Sequence, residues 1–157
     1  MKRQNKGFSL VELIIVIAIM AILAAAIAPA LIRYIDKSRK ADDLSAAEVI
    51  NSSMSSALAN EDAYDDIQTF MDGKVIASAT AGSAFTLDSR LGGKGQTFLD
   101  ELNSNLGGTA PKLKFKKNSQ NGWAVGISSV GKPIVWISTS TSSTAYSVQP
   151  EIDKLYK

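Results

Sequence analysis

The chain has 157 residues, enough for one domain plus an accessory segment, and carries 17 basic against 15 acidic side chains for a formal net charge of +2. It contains no cysteine and no histidine, so no disulfide can staple it and the commonest general base and metal ligand are both missing. Composition therefore excludes a disulfide framework and histidine chemistry, gives no reason to expect an enzyme, and points to no cofactor or metal.

Lys2, Arg3 and Lys6 precede Gly7-Phe8, and from there residues 8–32 are apolar apart from Ser9 and Glu12. Roughly 25 residues at about 1.5 Å each reach about 38 Å, enough to cross a bilayer with tilt. The basic start would hold that end on the cytoplasmic side. A carboxylate at membrane depth costs about 2.5–3.5 kcal/mol on insertion scales and is usually functional, which singles out Glu12. Pro29 cannot donate to the carbonyl of Ala25, so a kink or local loosening is expected there.

The apolar pattern runs on past the span. Leu31, Ile35, Leu44, Ala47, Ile50, Met54 and Leu58 continue a stripe, while Arg33, Lys37, Lys40, Asp43 and Glu48 are assigned to the other faces. A continuous helix from Phe8 to about Asn60 is expected, about 80 Å long, its first half protruding and its second half walling a soluble domain. A short helix follows on Ala63, Ile67, Phe70 and Met71, stopped by Gly73, and another at about 96–106, ended by Gly107-Gly108. Between them the one strand signal is Val75-Ile76.

The last third reads as antiparallel β. Leu113 and Phe115 alternate with Lys112, Lys114 and Lys116, and strands at about 123–130 and 133–140 are expected around a two-residue turn at Gly131-Lys132. That turn pairs Ser129 with Ile134, Ile127 with Trp136 and Val125 with Ser138, putting Trp123, Val125, Ile127, Ile134 and Trp136 on one face. A further strand is placed around Ala145–Val148.

The start MKRQNKGFSLVELIIVIAIMAILAAAIAPALIRYIDKSR resembles the N-terminus of type IV pilins and related pseudopilins, over about a quarter of the chain. The resemblance implies a pilin-like α+β fold: a long N-terminal helix, its first half membrane-embedded, packed against a C-terminal antiparallel sheet. It implies that a prepilin peptidase cuts between Gly7 and Phe8 and methylates the new amino group of Phe8, that Glu12 matters for assembly, and that Pro29 interrupts the helix. Cleavage would remove Lys2, Arg3 and Lys6, leaving 14 basic against 15 acidic groups and a balance of −1. Residues 1–7 are then a leader, 8–32 the transmembrane and assembly half of the helix, and 33–60 its amphipathic half. Residues 61–111 form a variable connecting region, and 112–157 the sheet and C-terminus.

The function so implied is a structural subunit of a type IV pilus filament. The alternative is a pseudopilin of a type II secretion or competence (DNA-uptake) system. The partners implied are other copies of the chain, the prepilin peptidase, a cytoplasmic-membrane assembly platform with its ATPase, and membrane lipid before assembly. Its location would be the cytoplasmic membrane, single-pass, before assembly and an extracellular pilus after it. Many pilins of Gram-negative bacteria close a C-terminal loop with a disulfide; this cysteine-free chain departs from them, which points to a Gram-positive source or a pseudopilin.

Glu12 has two partners open to it: the Phe8 ammonium of an adjoining subunit or that of its own chain, since i and i+4 positions meet on a helix. Pro29 either loosens the helix when subunits pack or merely aims the soluble domain. A competing reading is a secretory signal cut among Ala24, Ala26 and Ala28; Glu12 in the apolar centre and the helical pattern crossing that site argue against it. The lysines at 112–117 read as a solvated face or edge protection rather than a nucleic-acid footprint. Acids from Glu61 to Asp66 suit a helix start better than calcium, and Gly92-Gly93-Lys94-Gly95 lacks the rest of a phosphate loop.

Overall fold

The computed structural model describes residues 8–115, 121–138 and 146–157. Two compact units divide the chain, Met1–Ser38 and Arg39–Lys157, and helix α1, Leu10–Leu58, contributes to both. Its ends fall within two residues of those expected, and it is helical through Pro29 without a break.

In the unit from Arg39 onward, α1 is followed by α2 (Glu61–Ile67), β1 (Val75–Thr80), β2 (Thr86–Leu87), α3 (Gln96–Asn105), β3 (Gly122–Ile127), β4 (Pro133–Ser138) and β5 (Tyr146–Gln149). The strands form one antiparallel sheet in the order β2-β1-β3-β4-β5. The sheet therefore starts inside the region expected to be a variable connection. Ala47, Ile50, Met54 and Ala57 of α1 join one apolar cluster with Ala77 and Ala79 of β1, Trp123, Val125 and Ile127 of β3, and Val135 and Ile137 of β4. The period of 3.6 on the helix meets the period of two on the strands, giving an α+β layout in two layers. Leu31 and Ile35, the first residues of the apolar stripe, are exposed at 54% and 41%.

The β3–β4 register differs from the expected one. Trp123 pairs with Ile137, Val125 with Val135 and Ile127 with Pro133, so Trp136 opposes Ala124 on the other face of the sheet. The turn is longer than two residues. Gly131 N donates to Ser128 O at 2.9 Å, Ser128 N donates to Lys132 O at 2.8 Å, and Gly131 takes φ 78°. That is a three-residue loop with a left-handed glycine, and it shifts the pairing by an odd number, which exchanges faces. The core decides the matter: this register sends Val135 and Ile137 inward beside Val125 and Trp123. On the outer face Trp136 lies over Gly126, where a Cβ would come within 2.9 Å of its ring. Residues 139 and 140 of the expected second strand, and Ala145 of the last, lie outside the described residues.

Leu113 and Phe115 are buried as the alternation implies, but residues 111–115 belong to no strand. The amides of Lys114 and Phe115 donate instead to Asp43 Oδ1 and Oδ2, at 2.8 and 3.0 Å. Asp43, expected off the apolar stripe of α1, is completely buried. An acid at that position makes sense only because an extended segment from 71 residues away brings two donors to it. Lys114 Nζ adds an exposed pair with Asp42 at 2.9 Å. Nearby, Tyr156 is 3% exposed and meets the Phe115 ring edge-on at 5.8 Å, pinning the C-terminal residues into the core. Lys116 and Lys117 lie outside the described residues.

Burial raises the Asp43 pKa above its ordinary 3.8, outweighing the opposite effect of the Lys114 and Phe115 amides. A raised acid holds its proton more tightly folded than unfolded. Its contribution to stability is therefore full below 3.8, falls as pH rises through the folded pKa, and is level beyond. Two amides would lose their acceptor in Asp43→Ala, which should lower the unfolding free energy by about 2–4 kcal/mol. Asp43→Asn keeps one acceptor oxygen and should lose less, with its deficit against the wild type narrowing as pH rises above 3.8. Urea unfolding of the full-length protein in detergent, followed by the fluorescence of buried Trp123, would show a widening deficit if this assignment were wrong.

Candidate functional site

The start of α1 is built by Ser9-Leu10-Val11-Glu12. Ser9 precedes the helix and its carbonyl accepts from Leu13 N at 3.2 Å. Glu12 Oε2 accepts from Ser9 N at 2.8 Å. This is the reciprocal half of a capping box, S-x-x-E, in which the third helical residue reaches back to the amide of the capping residue. A carboxylate in the first turn also meets the positive end of the helix dipole. The sequence carries this signal in Ser9-Leu10-Val11-Glu12, alongside the cost of a charge at membrane depth.

The bond fixes where the charge sits. Glu12 is held against the peptide that joins Phe8 to Ser9. Its other oxygen, Oε1, makes no hydrogen bond among the described residues. Phe8 is 87% exposed and Gly7 lies outside the described residues. Sequence reasoning paired Phe8 and Glu12 by i,i+4 spacing on a helix, yet α1 begins at Leu10. Phe8 therefore lies before the first turn, and only the cap brings Glu12 back towards it.

From Leu13 to Ile32 the helix offers no polar face. Leu13, Ile14, Ile17, Met20, Leu23 and Ile27 are all at least half exposed. The best window has mean hydropathy 3.0 and none of it is buried by the described residues. Such a helix is long and apolar enough to cross a membrane. Pro29 sits within it, and its missing N–H leaves the Ala25 carbonyl without its helical donor. The neighbours Ala24, Ala25, Ala26, Ala28 and Ala30 are small enough for another helix to approach closely.

The acids between Glu61 and Asp66 divide structural work. Asn60 Oδ1 caps α2 by accepting from Asp62 N and Ala63 N, at 3.0 and 3.3 Å. Asp66 crosses to α3 and accepts from Gly95 N at 3.0 Å and Thr97 N at 2.9 Å, replacing a cap that Gly95 cannot supply. Desolvation pushes the Asp66 pKa up, but those amides and that of Phe98 outweigh it and hold it below 3.8. Among the described residues no three acidic or metal-ligating side chains gather where an ion could bind.

Residues 2–28 match the family model of the prokaryotic N-terminal methylation motif, the prepilin-type motif found in type IV pilins and pseudopilins. No solved structure matches the chain.

The cap and the charge of Glu12 are separable. Gln at the third helical position also completes a capping box, so Glu12→Gln should leave the first turn intact, whereas Glu12→Ala should loosen it by about 0.5–1 kcal/mol. Amide exchange of residues 10–13 in micelles would read this as faster exchange in the Ala variant alone; equal rates in all three proteins would mean the cap contributes nothing.

Proposed function

We propose that this chain, which carries a prepilin-type methylation motif at its amino end, is the structural subunit of a type IV pilus filament. In this reading the subunit waits in the cytoplasmic membrane with residues 8–32 spanning it. A prepilin peptidase removes residues 1–7 and methylates Phe8. The subunit then leaves the lipid and packs its apolar helix against sister helices, driven by an assembly platform and its ATPase. The observation that carries the proposal is an apolar helix surface that the described residues leave uncovered, lying largely within the matched motif.

The mechanism is physical rather than catalytic. Opposite charges at contact in an apolar, water-poor setting attract far more strongly than in water, and an unpaired charge there is costly. Cleavage creates an ammonium on Phe8 beside a carboxylate whose Oε1 is unoccupied by the described residues. Since Oε2 is engaged by the chain's own Ser9 amide, Oε1 is the oxygen left to take the ammonium of a neighbouring subunit. Such a pair would set the axial stagger between copies. The small residues around Pro29 supply the close approach that packing without a hydrophobic gradient requires.

Mass spectrometry of the mature protein from the native host should find a chain starting at N-methyl-Phe8; an intact Met1 terminus or one near Pro29 would end this reading. Glu12→Gln should be processed and inserted normally yet be missing from the fibre fraction sheared off cells, by tenfold or more on the order of a lost buried charge pair. Wild-type fibre yield from that variant would remove Glu12 from the assembly mechanism.

A further inference from the structure

We propose that Arg33 and Lys37, with Tyr34 beside them, bind the phosphate of an anionic phospholipid in the outer leaflet of the membrane, holding the subunit at a fixed depth before assembly. The inference rests on the reading of residues 8–32 as membrane-spanning and adds a ligand to it.

The residues converge on one side of the helix. At about 100° per residue, Arg33 and Lys37 stand about 40° apart and one turn on, with Ala30 and Tyr34 inside the same arc of about 100°. The structure shows a shallow cavity of about 310 Å³ lined by Ala30, Arg33, Tyr34 and Lys37. The short Ala30 side chain leaves the room and the longer neighbours form its walls. Arg33 and Lys37 make no hydrogen bond or ion pair with any described residue. Asp36 lies about 60° round the helix from Arg33, outside the arc.

Depth supplies the ligand. From Leu10 to Ile32 the helix rises about 33 Å, against a hydrocarbon core of about 30 Å. Arg33 and Lys37 are thus the first basic groups to emerge, at the level of the lipid phosphates. A guanidinium fork fits two oxygens of a phosphate, and an ammonium one turn away adds a point charge. Tyr34, 72% exposed, is the residue type that settles at the membrane interface, ring inward and hydroxyl outward. A free phosphate could meet the same cations, but a lipid also lays an acyl chain along Ala30 and Ile27 below them. Extraction into a filament must break this contact, so the site acts as a retention point for unassembled subunits.

The test uses the full-length protein in detergent with mixed phosphatidylcholine and phosphatidylglycerol, read by native mass spectrometry. Phosphatidylglycerol should be retained in preference to phosphatidylcholine. The double variant Arg33→Gln, Lys37→Gln should lose that preference by about thirtyfold, the effect of two basic groups near an anionic surface. Equal retention of both lipids, or an unchanged variant, would overturn the site, and displacement by millimolar inorganic phosphate would show a free-anion site instead. Carbonate extraction of host membranes separates the two levels. A protein that stays in the membrane but shows no lipid preference refutes the headgroup site alone, whereas release by carbonate refutes the membrane-spanning reading beneath it.

Discussion

An apolar helix surface that the described residues leave uncovered is the constraint from which the rest of this molecule follows. Every large side chain from Leu10 to Ile32 is exposed, with Leu10 at 74% and Ile32 still at 61%. Burying one such side chain is worth about 1.5–3 kcal/mol, so leaving the whole set in water would cost on the order of tens of kcal/mol. Lipid or the apolar faces of other helices are surroundings that remove this cost. Against that background Glu12 carries weight, because it is the only charged group between Phe8 and Arg33. Tied to the Ser9 amide, it sits in the first turn of the helix.

The same helix changes task further along. From Ala47 to Ala57 it supplies a stripe to the core of a domain that must hold together without a disulfide. Two carboxylates take over the stapling. Asp43 ties the 111–115 segment to α1 through two amides, and Asp66 ties the start of α3 to α2 in the same way. Their titrations run in opposite senses, since Asp43 is buried and raised whereas Asp66 is more open and lowered. Tyr156 on Phe115 closes the C-terminal end. Each staple joins segments far apart in sequence, which is what a covalent bridge would otherwise do.

What could be read in advance tracks how local the cause is. Helix α1, α2 and α3 were legible because apolar spacing and glycine stops are encoded within the elements themselves. The β3–β4 hairpin was legible as a hairpin, but its register was not. Gly131-Lys132 fits a two-residue turn on local rules, and only the inward demand of Val135 and Ile137 selects the longer loop. Asp43 looked like any polar residue on an exposed face, for its two donors come from Lys114 and Phe115. At the amino end, the motif singles out Phe8 and Glu12, while the cap that orients Glu12 depends on the helix starting at Leu10 rather than Phe8.

Cryo-electron microscopy of fibres sheared from the cell surface bears most directly on whether this greasy stretch exchanges lipid for copies of itself. The expected density is a core of closely packed 8–32 helices, with the Phe8 nitrogen of one subunit within ion-pair distance of Glu12 in the next. Fibres whose 8–32 segments face solvent, or a core built from another part of the chain, would contradict the account.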